Sequence, residues 1–139
     1  MNQEEKKLQE KYMEMKLLEE QMKEVQKKAE TVQQQILELS ATAQSLDDFN
    51  KVEEGTEILV PISSGIFTKA SIKENKEFLV NIGADTVVTK NSPDTKKLIE
   101  DQITEMQALH AKINIQMQKL AIHSASLENE FKELVSKIS

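Results

Sequence analysis

The groups that could do acid–base or metal chemistry in this sequence are few and scattered. His110 and His123 are the only imidazoles, the chain has no cysteine, and no cluster of His or carboxylate sits at metal-ligand spacing around either. Asp47-Asp48 and the Glu pairs fall on helix surfaces or ends, where a solvated carboxylate is the ordinary state. Neither a nucleophile elbow nor a phosphate-cradling glycine pattern is present. The sequence therefore predicts no catalytic constellation, no cofactor and no metal site, and the chain is not expected to be an enzyme. The residues whose types and spacing do suggest chemistry are apolar. Leu8, Tyr12, Met13, Met15 and Leu17 cluster near one end of the chain, and Phe131, Leu134, Val135 and Ile138 near the other. Met13 and Leu17 occupy outward positions of the helical period, Tyr12 and Val135 flank it, and Ile115 and Ile122 point outward further along. Soft, unbranched methionines among apolar neighbours suit loose capture of varied apolar ligands.

Composition limits what could present such residues. A chain of 139 residues with only three glycines, two prolines and no tryptophan, but 30% charged residues, suits long helices better than a thick globular core. All 18 basic residues are lysine and the net charge is −6. Arginine is the residue favoured for bidentate phosphate and base-edge contacts, so nucleic acid is not an expected partner. The charged N-terminus has no apolar signal core, and no apolar run approaches the roughly 20 residues of a membrane span. No membrane partner is expected, and the cytoplasm is the expected location.

Two long helical arms are predicted. From Leu8 to Phe49 there is no Gly or Pro, and the apolar positions Met15, Leu18, Met22, Val25, Ala29, Val32, Ile36, Leu39, Ala43 and Leu46 step by three and four. Every a and d position from Met15 to Leu46 is apolar, the sign of a coiled coil. Lys11 interrupts the seam beyond Met15. The stretch makes a rod of about 60 Å that needs a partner helix. The second arm opens at Asn91-Ser92-Pro93-Asp94, with Ser92 as the expected N-cap and Pro93 in the first turn. Its seam runs Ile99, Ile103, Met106, His110, Ile113, Met117, Leu120, Ser124, Leu127, Phe131, Leu134 and Ile138. His110 and Ser124 read as polar seam residues that fix register. The near-equal arms predict an intramolecular antiparallel hairpin, with Leu46 near Ile99, Ile36 near His110, Met22 near Ser124 and Leu8 near Ile138.

Between the arms lie all the strong β signals. Ile58–Ile62 and Ile66–Ile72 flank Ser63-Ser64-Gly65, and Phe78–Ile82 and Thr86–Lys90 flank Gly83-Ala84-Asp85, so two hairpins are expected. Pro61 cannot donate a ladder hydrogen bond and marks an edge or the end of pairing. Two-stranded hairpins are marginal alone in water, and nothing else in the chain supplies strands. Other subunits should complete the sheet, through Ile58, Val60, Ile62 and Phe67 on the first hairpin and Phe78, Val80, Ile82 and Val87 on the second. The fold class is α+β, a coiled-coil hairpin joined by two β-hairpins. The whole is read as one domain, 1–139, with arms at 1–50 and 92–139 and the oligomerising hairpins at 57–90.

Helix, two hairpins and helix, with Leu59-Val60-Pro61-Ile62 opening the first hairpin and Val80-Asn81-Ile82-Gly83-Ala84 closing the third strand, resembles the α subunit of archaeal-type prefoldin over nearly the whole chain. Two hairpins rather than one point to the α class. The first turn is poorer in glycine than is usual there, Ala70 stands where a glycine is often found, and Asp85 where a second glycine is common. The resemblance implies a hexamer of two α and four β subunits, whose hairpins join into a double β-barrel carrying six coiled-coil tentacles. It implies an ATP-independent co-chaperone that holds unfolded polypeptide between the tips and passes it to a group II chaperonin. The competing reading is a structural or tethering coiled-coil scaffold, forming homomeric or filamentous assemblies.

Overall fold

A long seam and well-placed caps produce two helices with no internal break. In a computed structural model, which describes residues 2–138, helix α1 spans Gln3–Asn50 and helix α2 spans Ser92–Ile138. Asn2 caps α1: its side-chain oxygen accepts from the backbone N–H of Glu5 at 2.8 Å, and Glu4 and Glu5 follow in the first turn. At α2 the cap is Asn91 rather than the expected Ser92, with Asn91 Oδ1 accepting from Asp94 N at 2.8 Å. The reason is competition: Ser92 is buried and its hydroxyl accepts from Asn50 Nδ2 instead.

The seam behaves as its period predicts. Leu18, Val25 and Val32 on α1 and Ile99, Ile113 and Leu127 on α2 are buried. The intervening a and d residues are half-buried, including His110 and Ser124, and only Ile138 at the very end of the series is exposed. Lys11 also sits half-buried at its seam position.

The β signals give four strands: β1, Glu57–Ser63; β2, Ile66–Ser71; β3, Glu77–Asn81; and β4, Val87–Asn91. They form two separate two-stranded antiparallel sheets, β1–β2 and β3–β4. Pro61 still faces Phe67, but the register shifts immediately after it, between Pro61 and Ser63. Proline's missing N–H thus coincides with the irregularity that ends regular pairing. Gly65 supplies the positive φ of the first turn. In the second turn Ala84 and Asp85 take φ of 49° and 59°, and Thr86 N donates to Gly83 O at 2.9 Å. This is a type I′ turn built without glycine at either central position.

The chain divides into two units, described separately: Ile36–Glu105, and the outer helix segments up to Gln35 and from Met106 on. Within the first, the end of α1 lies against the start of α2, with Asn50 on Ser92 and Asp47 on Lys96. Within the second, the start of α1 lies against the end of α2, with Lys11 on Glu130 and Tyr12 on Phe131. Each unit therefore holds an antiparallel helix pair. Both sets of contacts fall about one helical turn from the expected register. An antiparallel seam stacks a positions of one helix on d positions of the other, as Asn50 on Ser92 does, so aligning like positions mis-sets the layers.

Candidate binding surfaces

The root of the helix pair is built from polar residues. Asn75 is buried, and its carboxamide donates to the carbonyl of Val52 and, at 3.5 Å, to that of Asn50. The last carbonyls of a helix have no partner within it, so Asn75 acts as a C-cap delivered from the linker between the hairpins. One residue on, Lys76 O accepts from Ser92 N at 2.7 Å, which ties the start of α2 to the same linker. Phe49 packs on Phe78 with ring centroids 5.9 Å apart, joining α1 to β3. Lys96 lies 2.9 Å from Asp47, and its pKa is raised, first by that hydrogen bond and then by the charge of Asp47.

The hairpins leave most of their apolar residues in solvent. Ile62, Phe67, Ile82 and Val87 are exposed, as is Val60 to a lesser degree, while Ile58, Phe78 and Val80 are half-buried. Phe78 is partly used within the chain, against Phe49. Sequence reasoning passed over Leu59, Ile66 and Leu79, of which Leu79 is the most exposed large apolar residue at 77%. Strict alternation gave the missing signal. Leu59 and Phe67 share one face of β1–β2 and Ile58 and Val60 the other, so both faces of this hairpin are apolar. Each strand also has a single hydrogen-bonded neighbour, leaving one backbone edge free per strand among the described residues.

At the ends of the arms the nine apolar residues singled out by sequence separate into distinct surfaces. Leu8, Tyr12 and Phe131 line one groove of about 330 Å³ with Glu5 and Gln9. The Tyr12 and Phe131 rings are 6.4 Å apart, and Lys16 Nζ stands 5.1 Å over the Tyr12 ring. Met13 and Leu17, more than half exposed, line a second groove among Lys6, Glu10 and Glu14. Leu134 borders a third that is otherwise charged, and Met15 is half-buried in the seam. Val135 and Ile138 are about 40% exposed. Lys11, the seam interruption, is answered from the other helix by Glu130 at 2.7 Å, with Glu14 at 3.9 Å. The hydrogen bond to Glu130 is the main cause of its raised pKa. Among the described residues no group of three or more His, Asp or Glu is placed to hold a metal ion, and no helix is long and apolar enough to cross a membrane.

Antiparallel helix pairs, two β-hairpins with open edges, and apolar grooves around Tyr12 and Met13 are parts that suit a subunit of an assembly. Comparison with known proteins agrees. Residues 18–137 match the family described as prefoldin subunit. A prefoldin subunit alpha of Thermofilum pendens is 33% identical over 86 residues, which cover 62% of this chain and 67% of that one. A prefoldin subunit alpha of Methanoregula boonei is 32% identical over 84 residues, about half of its own length. That of Archaeoglobus fulgidus is 23% identical over 133 residues, spanning 91% of this chain and 92% of the relative. Among solved structures, a filamentous prefoldin of Methanocaldococcus jannaschii superposes with a TM-score of 0.75 at 17% identity, over 83% of this chain and 95% of that one. The chain belongs to the prefoldin family, a family of chaperone subunits, and is of its α type.

Proposed function

We propose that this chain is the α subunit of an ATP-independent cytoplasmic holdase, assembled as two copies with four β-type subunits. In this reading the free edges and apolar faces of β1–β4 join the strands of neighbouring subunits into a shared barrel platform. The arm ends hold unfolded polypeptide and deliver it to a group II chaperonin. Residues 1–139 act as one functional domain, and no step requires catalysis. The observation that carries the reading is the contrast along the helices: the seam is closed, yet Tyr12, Met13 and Leu17 stay about half exposed beside grooves at one end. Several such weak apolar sites in one assembly bind an unfolded chain by avidity.

The test is suppression of aggregation of a chemically denatured protein, without nucleotide, by this chain co-purified with a β-type subunit. Deletion of residues 1–17 and 131–139 should abolish protection while leaving assembly intact. Protection that survives the deletion contradicts the assignment of the arm ends. A second reading, a scaffold that forms homomeric filaments, draws support from the filamentous prefoldin that shares the fold. It predicts an open-ended mass distribution for the chain by itself.

A further inference from the structure

Away from its ends, the second arm differs in charge from the rest of the molecule. From Met106 to Leu127 there is no carboxylate; the segment carries two lysines, Lys112 and Lys119, in a chain of net charge −6. On this part of α2, Leu109, Lys112, Gln116 and Lys119 follow one another at spacings of three and four, and so form one continuous ridge. Leu109 is 42% exposed. This ridge borders a groove of about 430 Å³, lined by its Leu109 and Gln116, with the buried Val32 and Ile113 in the floor. Lys27 and Lys28 of α1 line its other side. No carboxylate lines this groove, whereas those at the arm end include Glu5, Glu10 and Glu14. Among the described residues none of the four lysines 27, 28, 112 and 119 lies within 4.0 Å of a carboxylate, although the chain pairs five other lysines.

We infer that this groove and ridge form a docking site for an acidic amphipathic helix of a partner protein, distinct from the apolar grooves of the arm ends. Charge complementarity selects the sign: four unpaired lysines flank an apolar strip that no carboxylate interrupts. The repeat selects the shape. Leu109 and Gln116, like Lys112 and Lys119, are seven residues apart, the interval at which a second helix presents its own side chains. A partner helix with leucines on one stripe and glutamates beside it satisfies both. The site does not depend on what the arm ends hold.

The probe is a synthetic three-heptad peptide with leucine at a and d and glutamate at the flanking positions, fluorescently labelled and titrated with the full-length chain in its native assembled form. Saturable binding is expected, weakening as salt rises. The surface variant Lys27→Glu/Lys28→Glu should lower affinity tenfold or more with unchanged helical circular dichroism and melting temperature. It should also gain binding to the matched peptide in which lysine replaces glutamate. Leu109→Ser should weaken both peptides. Equal binding of the two peptides to the unaltered chain would overturn the inference. So would affinity indifferent to these variants, loss of binding on Met13→Ser/Leu17→Ser instead, or a change in oligomeric mass on Lys27→Glu/Lys28→Glu, which would make the face a contact between copies. Displacement of the acidic peptide by anionic vesicles would assign the surface to a membrane and equally refute it.

Discussion

At the foot of α1, a single carboxamide caps the carbonyl of Asn50, the last helix residue, and that of Val52 just beyond it. Asn75 reaches Val52 and Asn50 from 23 and 25 residues away in sequence. Asn75→Leu keeps the branched outline of the side chain and removes both donors from a buried position. We expect a loss of about 1–3 kcal/mol, the usual range for stranding buried polar groups, measured by denaturant unfolding of the assembled protein. Lys11 and Lys96 work differently. Each has a raised pKa because a carboxylate of the other helix accepts its hydrogen bond, so folding tightens the proton. That contribution is fully present below the ordinary lysine value of 10.5 and is lost as pH rises through the raised one. The unaltered chain should therefore lose thermal stability in strong alkali that Lys11→Met/Lys96→Met does not lose, and the difference between them should be flat across neutral pH. Parallel decline of the two in melts followed by circular dichroism would exclude the ion pairs as the cause.

The helices and strands show how far local pattern reaches. The seam was legible because spacings of three and four persist for ten positions on α1 with no glycine or proline to interrupt them. The structure buries or half-buries every one of those positions. The strands fall within a residue of expectation because turn residues bracket each β-rich run. What was not legible depends on residues far apart in sequence. Lys11 reads as a break in the seam, and only the antiparallel alignment reveals Glu130 beside it. The cap of α2 moved to Asn91 because Asn50, 42 residues away, claims the Ser92 hydroxyl. The apolar residues at the arm ends were individually recognisable, but their division between two grooves follows from which helix faces which. The seam makes a graded prediction. Leu18, 4% exposed, should cost about 2–5 kcal/mol on replacement by Ala, the range for buried leucines. Leu37, on the same helix but 55% exposed, should stay within about 0.5 kcal/mol. Equal effects in thermal unfolding would mean that α1 is not held by this seam.

For the molecule as a whole, the two β-sheets set the terms. Each has two strands, and between them Leu59, Phe67, Leu79 and Val87 lie open to water. Sheets of this size are marginal without further strands or a covered face, and so much exposed apolar surface at one site marks an interface. In the proposed assembly that surface becomes a platform that holds several arm pairs together, so that weakly binding ends act in concert. The most direct measurement is native mass spectrometry of the chain produced alone and together with a β-type prefoldin subunit. The account predicts that co-production yields one discrete species containing two copies of this chain and four of the partner. A stable lone monomer whose hairpins are ordered, and whose mass does not change when the partner is present, would contradict it.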